Sequence, residues 1–225
     1  QLNKLSFASN TKLAGANGLT FVANGATLPS IIQDSTNAVT IVTPLVLDVD
    51  TTFDGNFGGQ VIVEGTISGK GALVKRNPGL LLIKNDNNTY TGGTILEKGM
   101  VAFPAGSGNQ NSYFGTGLVT ANADAIINCN RTHLSNPLML NGCKFTGGNG
   151  WGSVFSGSVT LTGITTIDLG TTGGILFSGN ISGTGGFKTV GTTQWTLSGT
   201  NTFTGSTTIQ AGAICYKSQE SVAPG

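Results

Sequence analysis

The stretch "LDVDTTFD" holds Asp48, Asp50 and Asp54, the densest group of acids in the chain. With Leu45, Leu47 and Val49 turned inward on one strand, Asp48 and Asp50 share its outer face. Two carboxylates on one face are the material of a Ca²⁺ site, or of an acid/base pair like those that cleave polysaccharides. Against both stand the residues 114 positions on, Thr162 and Ile164, which carry no acid, and the absence of any Lys or Arg cluster beside them. The Gly-rich calcium nonapeptide GGxGxDxUx is also missing. Solvated acids at a strand edge that discourage stray sheet pairing account for the group better. No metal, cofactor or catalytic residue is assigned; Asp48, Asp50 and Asp54 are the candidates for the structure to place.

Other reactive side chains are sparse. His133 is the only histidine, in the turn-like "NRTHLSNP", so centres needing several imidazoles and Ser-His-Asp triads lack material. Lys75 and Arg76 precede a Pro-Gly turn and read as a solvated corner, with sugar or phosphate contact as the alternative. Trp151 stands among glycines in "GGNGWGS", placed to stack on a sugar ring, to dock on a subunit, or to fold back over the core. Tyr113 and Phe114, in "GSGNQNSYFG", join it as candidate interaction residues. Trp195 lies in an alternating strand and reads as core. Cys129 and Cys143 bridge if neighbouring coils bring their Cα atoms within about 4.4–6.8 Å. Buried reduced thiols are the alternative, and alternation leaves the direction of Cys215 open. Asn87, Asn130 and Asn180 begin Asn-x-Ser/Thr sequons, which a chain so rich in Asn and Thr produces by chance.

The elements that position these residues read as strands. The chain has 225 residues, 36 of them Gly, and 9% are charged, well below the roughly 25% of an ordinary domain. So little charge leaves helices without polar outer faces. Frequent Thr and Val favour pleated surfaces. A net charge of +1 gives no electrostatic footprint for nucleic acid or an anionic membrane, and no apolar run is long enough to span a bilayer as a helix. "SVTLT", "GGILFS" and "TQWTLS" alternate apolar with small or polar residues, and Gly, Asn and Asp clusters break the runs.

A longer period overlies this one. Ile67, Ser68, Gly69 and Gly71 match Ile181, Ser182, Gly183 and Gly185 at an offset of 114. The same offset pairs Thr51 with Thr165, Asp54 with Asp168 and Gly65 with Gly179. After "KNDNN" it falls to 113, pairing Asn88, Tyr90 and Gly92 with Asn201, Phe203 and Gly205. An insertion placed in a turn is how a structural repeat absorbs an extra residue. Short strands in a doubled chain predict an all-β parallel solenoid. At roughly 20–25 residues a coil, each copy makes about five coils and the chain about ten. The copies span residues 1–110 and 111–225, expected to be continuous.

"ISGTGGF", "WTLSGTNTFTGSTTI" and the earlier "ISGKGALVK" and "NNTYTGGTI" resemble the passenger-associated transport repeat of bacterial autotransporter passengers. "LSNPLMLNGCKFTGG" is similar to a coil common in the same proteins. The resemblance implies a right-handed parallel β-helix, secreted or at the cell surface, acting as a non-enzymatic structural or adhesive module that presents loops on a stiff rod. The family's membrane barrel is not in this sequence, and any secretion signal is expected to lie outside it. Host surface, matrix or glycan are the partners this implies, with no nucleic acid and no membrane insertion. The irregular stretches 106–115, 147–153 and 28–37 are the interaction loops expected on such a scaffold. Two other readings stay open: an extracellular filament or surface-layer subunit stacking end to end, and a carbohydrate-active enzyme using Asp48, Asp50 or Asp54.

Overall fold

A computed structural model describes residues 1–104, 112–147, 152–171 and 173–217. Among the described residues every regular element is a strand, stacked in parallel sheets as a β-solenoid of about nine turns. The chain divides into two compact units, one of Gln1–Ala102 with Ser112–Val119 and the other built from Thr120 onward.

In the first unit the chain circles three sheet faces. Face one stacks Lys4–Phe7, Ser30–Gln33, Thr51–Asp54, Leu73–Lys75 and the start of Thr94–Ala102. Face two stacks Thr11–Leu13, Val39–Ile41, Val61–Val63, Leu80–Ile83 and the end of Thr94–Ala102. Face three holds Leu19–Phe21, Leu45–Leu47 and Ile67–Gly69. The second unit repeats the plan. Its face one carries the end of Val119–Cys129, then Lys144–Gly147, Ile164–Leu169, Gly186–Thr189 and Thr207–Ile209. Its face two carries His133–Leu134, Ser153–Phe155, Ile175–Phe177, Gln194–Leu197 and Ala213–Tyr216. Leu138–Leu140, Val159–Leu161 and Ile181–Gly183 form its third face.

Strand alternation puts every second side chain inside, so equivalent residues stack in columns from coil to coil. On the second unit's face two, Phe155, Phe177 and Leu197 share one inner column and Ile175, Trp195 and Ile214 the next. Phe155 and Phe177 stack at 5.2 Å, and Phe145 meets both edge-on at 5.3 and 5.7 Å. Pairs of this kind each add about 0.5–1.5 kcal/mol beyond area burial. Trp195 is core, as its alternation predicts, and its indole Nε1 donates to the Thr189 hydroxyl at 3.0 Å.

The repeated motif closes the coils. Gly69 and Gly183, matched in the two copies, both turn the corner with φ +108°, a backbone that side-chain-bearing residues avoid. Where face three would need a further strand, a buried asparagine substitutes for backbone. Asn88 Oδ1 accepts from Ile67 N at 2.7 Å, and Asn201 Oδ1 accepts from Ile181 N at 3.1 Å. The same asparagines donate to Asn85 O and Gly199 O, each at 2.9 Å. The Tyr90 and Phe203 rings that follow fill the core.

Candidate binding cleft

One connection in the first unit breaks the rhythm. Between Phe21 and Ser30 the chain spends eight residues, where the matching links from Leu47 to Thr51 and from Gly69 to Leu73 spend three. The extra residues form a tight turn in which Asn24 and Thr27 each donate a backbone N–H to the other's carbonyl at 3.0 Å. Gly25 at φ +59° makes that turn without strain. Asn3 Nδ2 pins it from the preceding segment, donating to Val22 O and Thr27 O at 3.0 Å. The turn brings Ala26 and Leu28 against the outer surface of face one, with Leu28 left 53% exposed.

Between this wall and the sheet lies an open cleft of about 490 Å³. Its floor is the outward column Ser30, Thr52, Val74 and Ile95, which pair in register across four coils. Asp50 and Asp54 flank Thr52, because Thr51 and Phe53 between them point inward. Arg76 and Glu97 continue along the Asp54 side. Two hydrogen bonds, Arg76 Nε to Glu97 Oε2 at 2.8 Å and Nη2 to Oε1 at 3.0 Å, commit that guanidinium. The Glu97 contact holds the guanidinium pKa above its ordinary value. Asp50 Oδ1 accepts from Ala72 N at 2.9 Å, and Asp54 Oδ1 from Gly55 N at 2.8 Å.

The three acids named from sequence are therefore divided. Asp48 and Asp50 do not share one strand's outer face: the strand ends at Leu47, and residues 48–50 are the corner to the next. Asp48 faces Lys70 of the following coil at 3.3 Å, while Asp50 turns to the cleft with Asp54. Among the described residues no three His, Cys, Asp or Glu side chains converge as a metal site would require. Ser30 lies in the expected interaction stretch 28–37 and Arg76 was read as part of a basic corner, while Glu97 and Thr52 were not singled out in sequence. The surplus length between Phe21 and Ser30 is the signal that points to them.

Other expectations fall elsewhere. Trp151 lies outside the described residues. Tyr113 and Phe114 are not surface contacts: both are buried, and Tyr113 O accepts from Asn88 Nδ2 at 2.9 Å. Their loop returns into the core of the first unit because the segment continues face three, with Thr116 N bonded to Tyr90 O at 3.1 Å. Lys75 is not solvated but wholly buried, in an inner column with Ile31, Phe53 and Leu96. Cys129 and Cys143 are free, buried thiols. In the register that joins their strands Cys129 lies opposite Gly147, while Cys143 immediately precedes Lys144, opposite Ile126, so the two sit at opposite ends of the pairing. Burial pushes the Cys143 thiol up to about 12 and raises that of Cys129 as well. Cys215 lies opposite Thr196 in the outward column of the second unit's face two, half-buried. His133 heads that column opposite Val154. Asn87 and Asn180 are exposed and Asn130 is half-buried.

The second copy shows which cleft residues the fold itself requires. Ile164 stands for Asp50, Val190 for Arg76 and Gln210 for Glu97. Asp168 matches Asp54, but Lys144 Nζ neutralises it at 2.5 Å. The coil closes without the first unit's charges.

The passenger-associated-transport-repeat family matches residues 73–102 and 190–214, the stretches that carry the buried asparagines. Adhesin BmaC autotransporter of Brucella suis biovar 1 (strain 1330) is 32% identical over 187 residues, covering 81% of this chain and 5% of that protein. No solved structure matches. The chain thus resembles autotransporter passengers while spanning about 5% of the relative's length, and its location is extracellular or at the cell surface.

Proposed function

We propose that this chain is a non-enzymatic adhesive segment of a surface passenger, and that the cleft on its first unit is where it touches a partner. The observation that carries this reading is the inserted turn of residues 22–29, which builds a wall and a mixed polar and apolar floor on a face that otherwise repeats. Loops on stiff scaffolds are where binding usually sits. The name of the Brucella relative supports adhesion as the role, with host surface or matrix as the partner. Surfaces coated with matrix protein or host cells test it directly: the purified chain should be retained, and retention equal to that of an unrelated β-solenoid ends the proposal.

The carbohydrate-cleaving alternative fits the cleft poorly. Asp50, at the corner, and Asp54, at the end of Thr51–Asp54, each commit an oxygen to a backbone N–H, and Glu97 is committed to Arg76. A second reading has an observation in its favour. Thr207–Ile209 is exposed along its whole length, and among the described residues it pairs with Gly186–Thr189 alone, which leaves its other edge for another copy. Electron microscopy with light scattering over a concentration series distinguishes filaments from single particles.

A further inference from the structure

We infer that the cleft takes an extended basic peptide of a partner protein, with two lysine or arginine side chains four residues apart seated on Asp50 and Asp54. The inference rests on the adhesive reading above and names the chemistry of its partner.

Charge sets the sign. The cleft holds three carboxylates and one guanidinium, and that guanidinium is held by Glu97 through two hydrogen bonds. Asp50 and Asp54 remain without a salt-bridge partner among the described residues, Asp54 feeling Arg76 only through its field. A backbone N–H fixes one oxygen of each carboxylate, which leaves the other oxygen of each for a ligand cation. Fixed carboxylates of this kind bind without the entropy of ordering a free side chain.

Spacing sets the register. Asp50 immediately precedes the strand Thr51–Asp54, and Asp50, Thr52 and Asp54 alternate with the inward Thr51 and Phe53. An extended peptide lying along that strand has the same rise of about 3.3 Å per residue. Side chains one, three and five of such a peptide point to the same side. Basic residues at one and five then reach the two carboxylates, and a small or hydroxylated residue at three sits over Thr52. The apolar floor of Val74 and Ile95 and the Leu28 wall suit the aliphatic stems of lysine and arginine, which pack on apolar surface while their heads stay wet. The second unit supplies an internal control, since Ile164 replaces Asp50 and Lys144 neutralises Asp168.

The test uses the full chain and two fluorescent peptides of identical composition, acetylated and amidated. One reads Lys-Ala-Ser-Ala-Lys, and the other reads Lys-Ala-Ala-Lys-Ser, which puts its lysines on opposite sides of an extended strand. Anisotropy titration should give saturable binding for the first, weakening with salt, and several-fold weaker binding for the second. In the double variant Asp50→Asn, Asp54→Asn each asparagine keeps a carbonyl oxygen for Ala72 N or Gly55 N. That variant should bind the first peptide a few-fold to about tenfold more weakly, as expected for two exposed ion pairs. Thr52→Lys, which places a cation between the carboxylates, should abolish binding. Equal binding of the two peptides, indifference to both variants, or preference for an acidic peptide or a neutral oligosaccharide overturns the inference. Matrix retention that is unchanged in the double variant leaves adhesion standing and removes the cleft from it. Selective peptide binding without any matrix retention does the reverse.

Discussion

Burying Lys75 makes stability depend on pH in a direction opposite to that of the buried thiols. The side chain stands in an inner column, where its ammonium donates to Asn77 O at 2.7 Å, Asn77 Oδ1 at 2.8 Å and Lys98 O at 3.0 Å. None of these acceptors carries charge. Burial first, and the Lys98 charge second, bring its pKa from 10.5 down to about 7. The unfolded chain therefore holds more protons at this position than the folded one between those values, so stability rises as pH climbs from about 7 toward 10.5. The slope is about 1.4 kcal/mol per pH unit, which gives roughly 2–3 kcal/mol between pH 7 and 9. The assay is urea unfolding of the parent chain and of Lys75→Met across that range. Cys129 and Cys143, whose raised pKa values cost stability as pH rises past that of an unfolded thiol, are present in both proteins and cancel in the difference. The stability gap, parent minus variant, should grow with pH. A gap that stays flat to within about 0.5 kcal/mol, or narrows, refutes the burial-lowered pKa of Lys75.

Other outcomes follow from the same columns. Asn88→Ala should cost about 1–3 kcal/mol, because Ile67 N loses its buried acceptor; urea unfolding that moves by less than 0.5 kcal/mol would contradict the backbone-mimic role. Gly179→Ala should abolish the cooperative melt followed by circular dichroism, since an added Cβ would lie 1.9 Å from Gly157 O. Phe177→Ala removes a ring that touches Phe145, Phe155, Phe187 and Trp195 and should cost about 3–5 kcal/mol. In thiol titration with a chromogenic disulfide Cys215 should react in the folded state, and Cys129 and Cys143 only on unfolding.

Much of the architecture was legible because a solenoid writes it locally. Alternation in "SVTLT" and "TQWTLS" predicted the inward Val159, Leu161, Trp195 and Leu197, and all four are buried. Repetition supplied what alternation lacks, the parallel stacking of strands some twenty residues apart. The site was harder to read for two physical reasons. Alternation assumes that the strand runs on, and at Asp48 it does not: the chain turns after Leu47, sending Asp48 toward Lys70 and leaving Asp50 to the cleft. Polarity also misleads where side chains carry their own partners inward. Lys75 and Tyr113 read as surface by residue type and context, yet the coil corners give the lysine three acceptors, and the first unit's third face takes in the tyrosine.

A chain that writes one unit twice separates what a coil needs from what it only tolerates. Gly69 and Gly183 share one φ, and Asn88 and Asn201 share one hydrogen bond to the preceding coil, so these positions belong to closure. Divergence alone does not mark a site, as Lys75 and its match Thr189 demonstrate. Both are buried: the lysine reaches two backbone carbonyls, whereas the threonine takes the indole N–H of Trp195. Those are two ways of filling one interior. Asp50 against Ile164 is a different case, because the acid faces solvent in a cleft and the isoleucine shows that the coil closes without it. An exposed charge that the fold does not require, held in place by a backbone N–H and beside a wall the second copy lacks, is where selection for binding has room to act. By that criterion the proposed contact belongs to the first unit's face one, whereas the matching face of the second unit has only the coil to close.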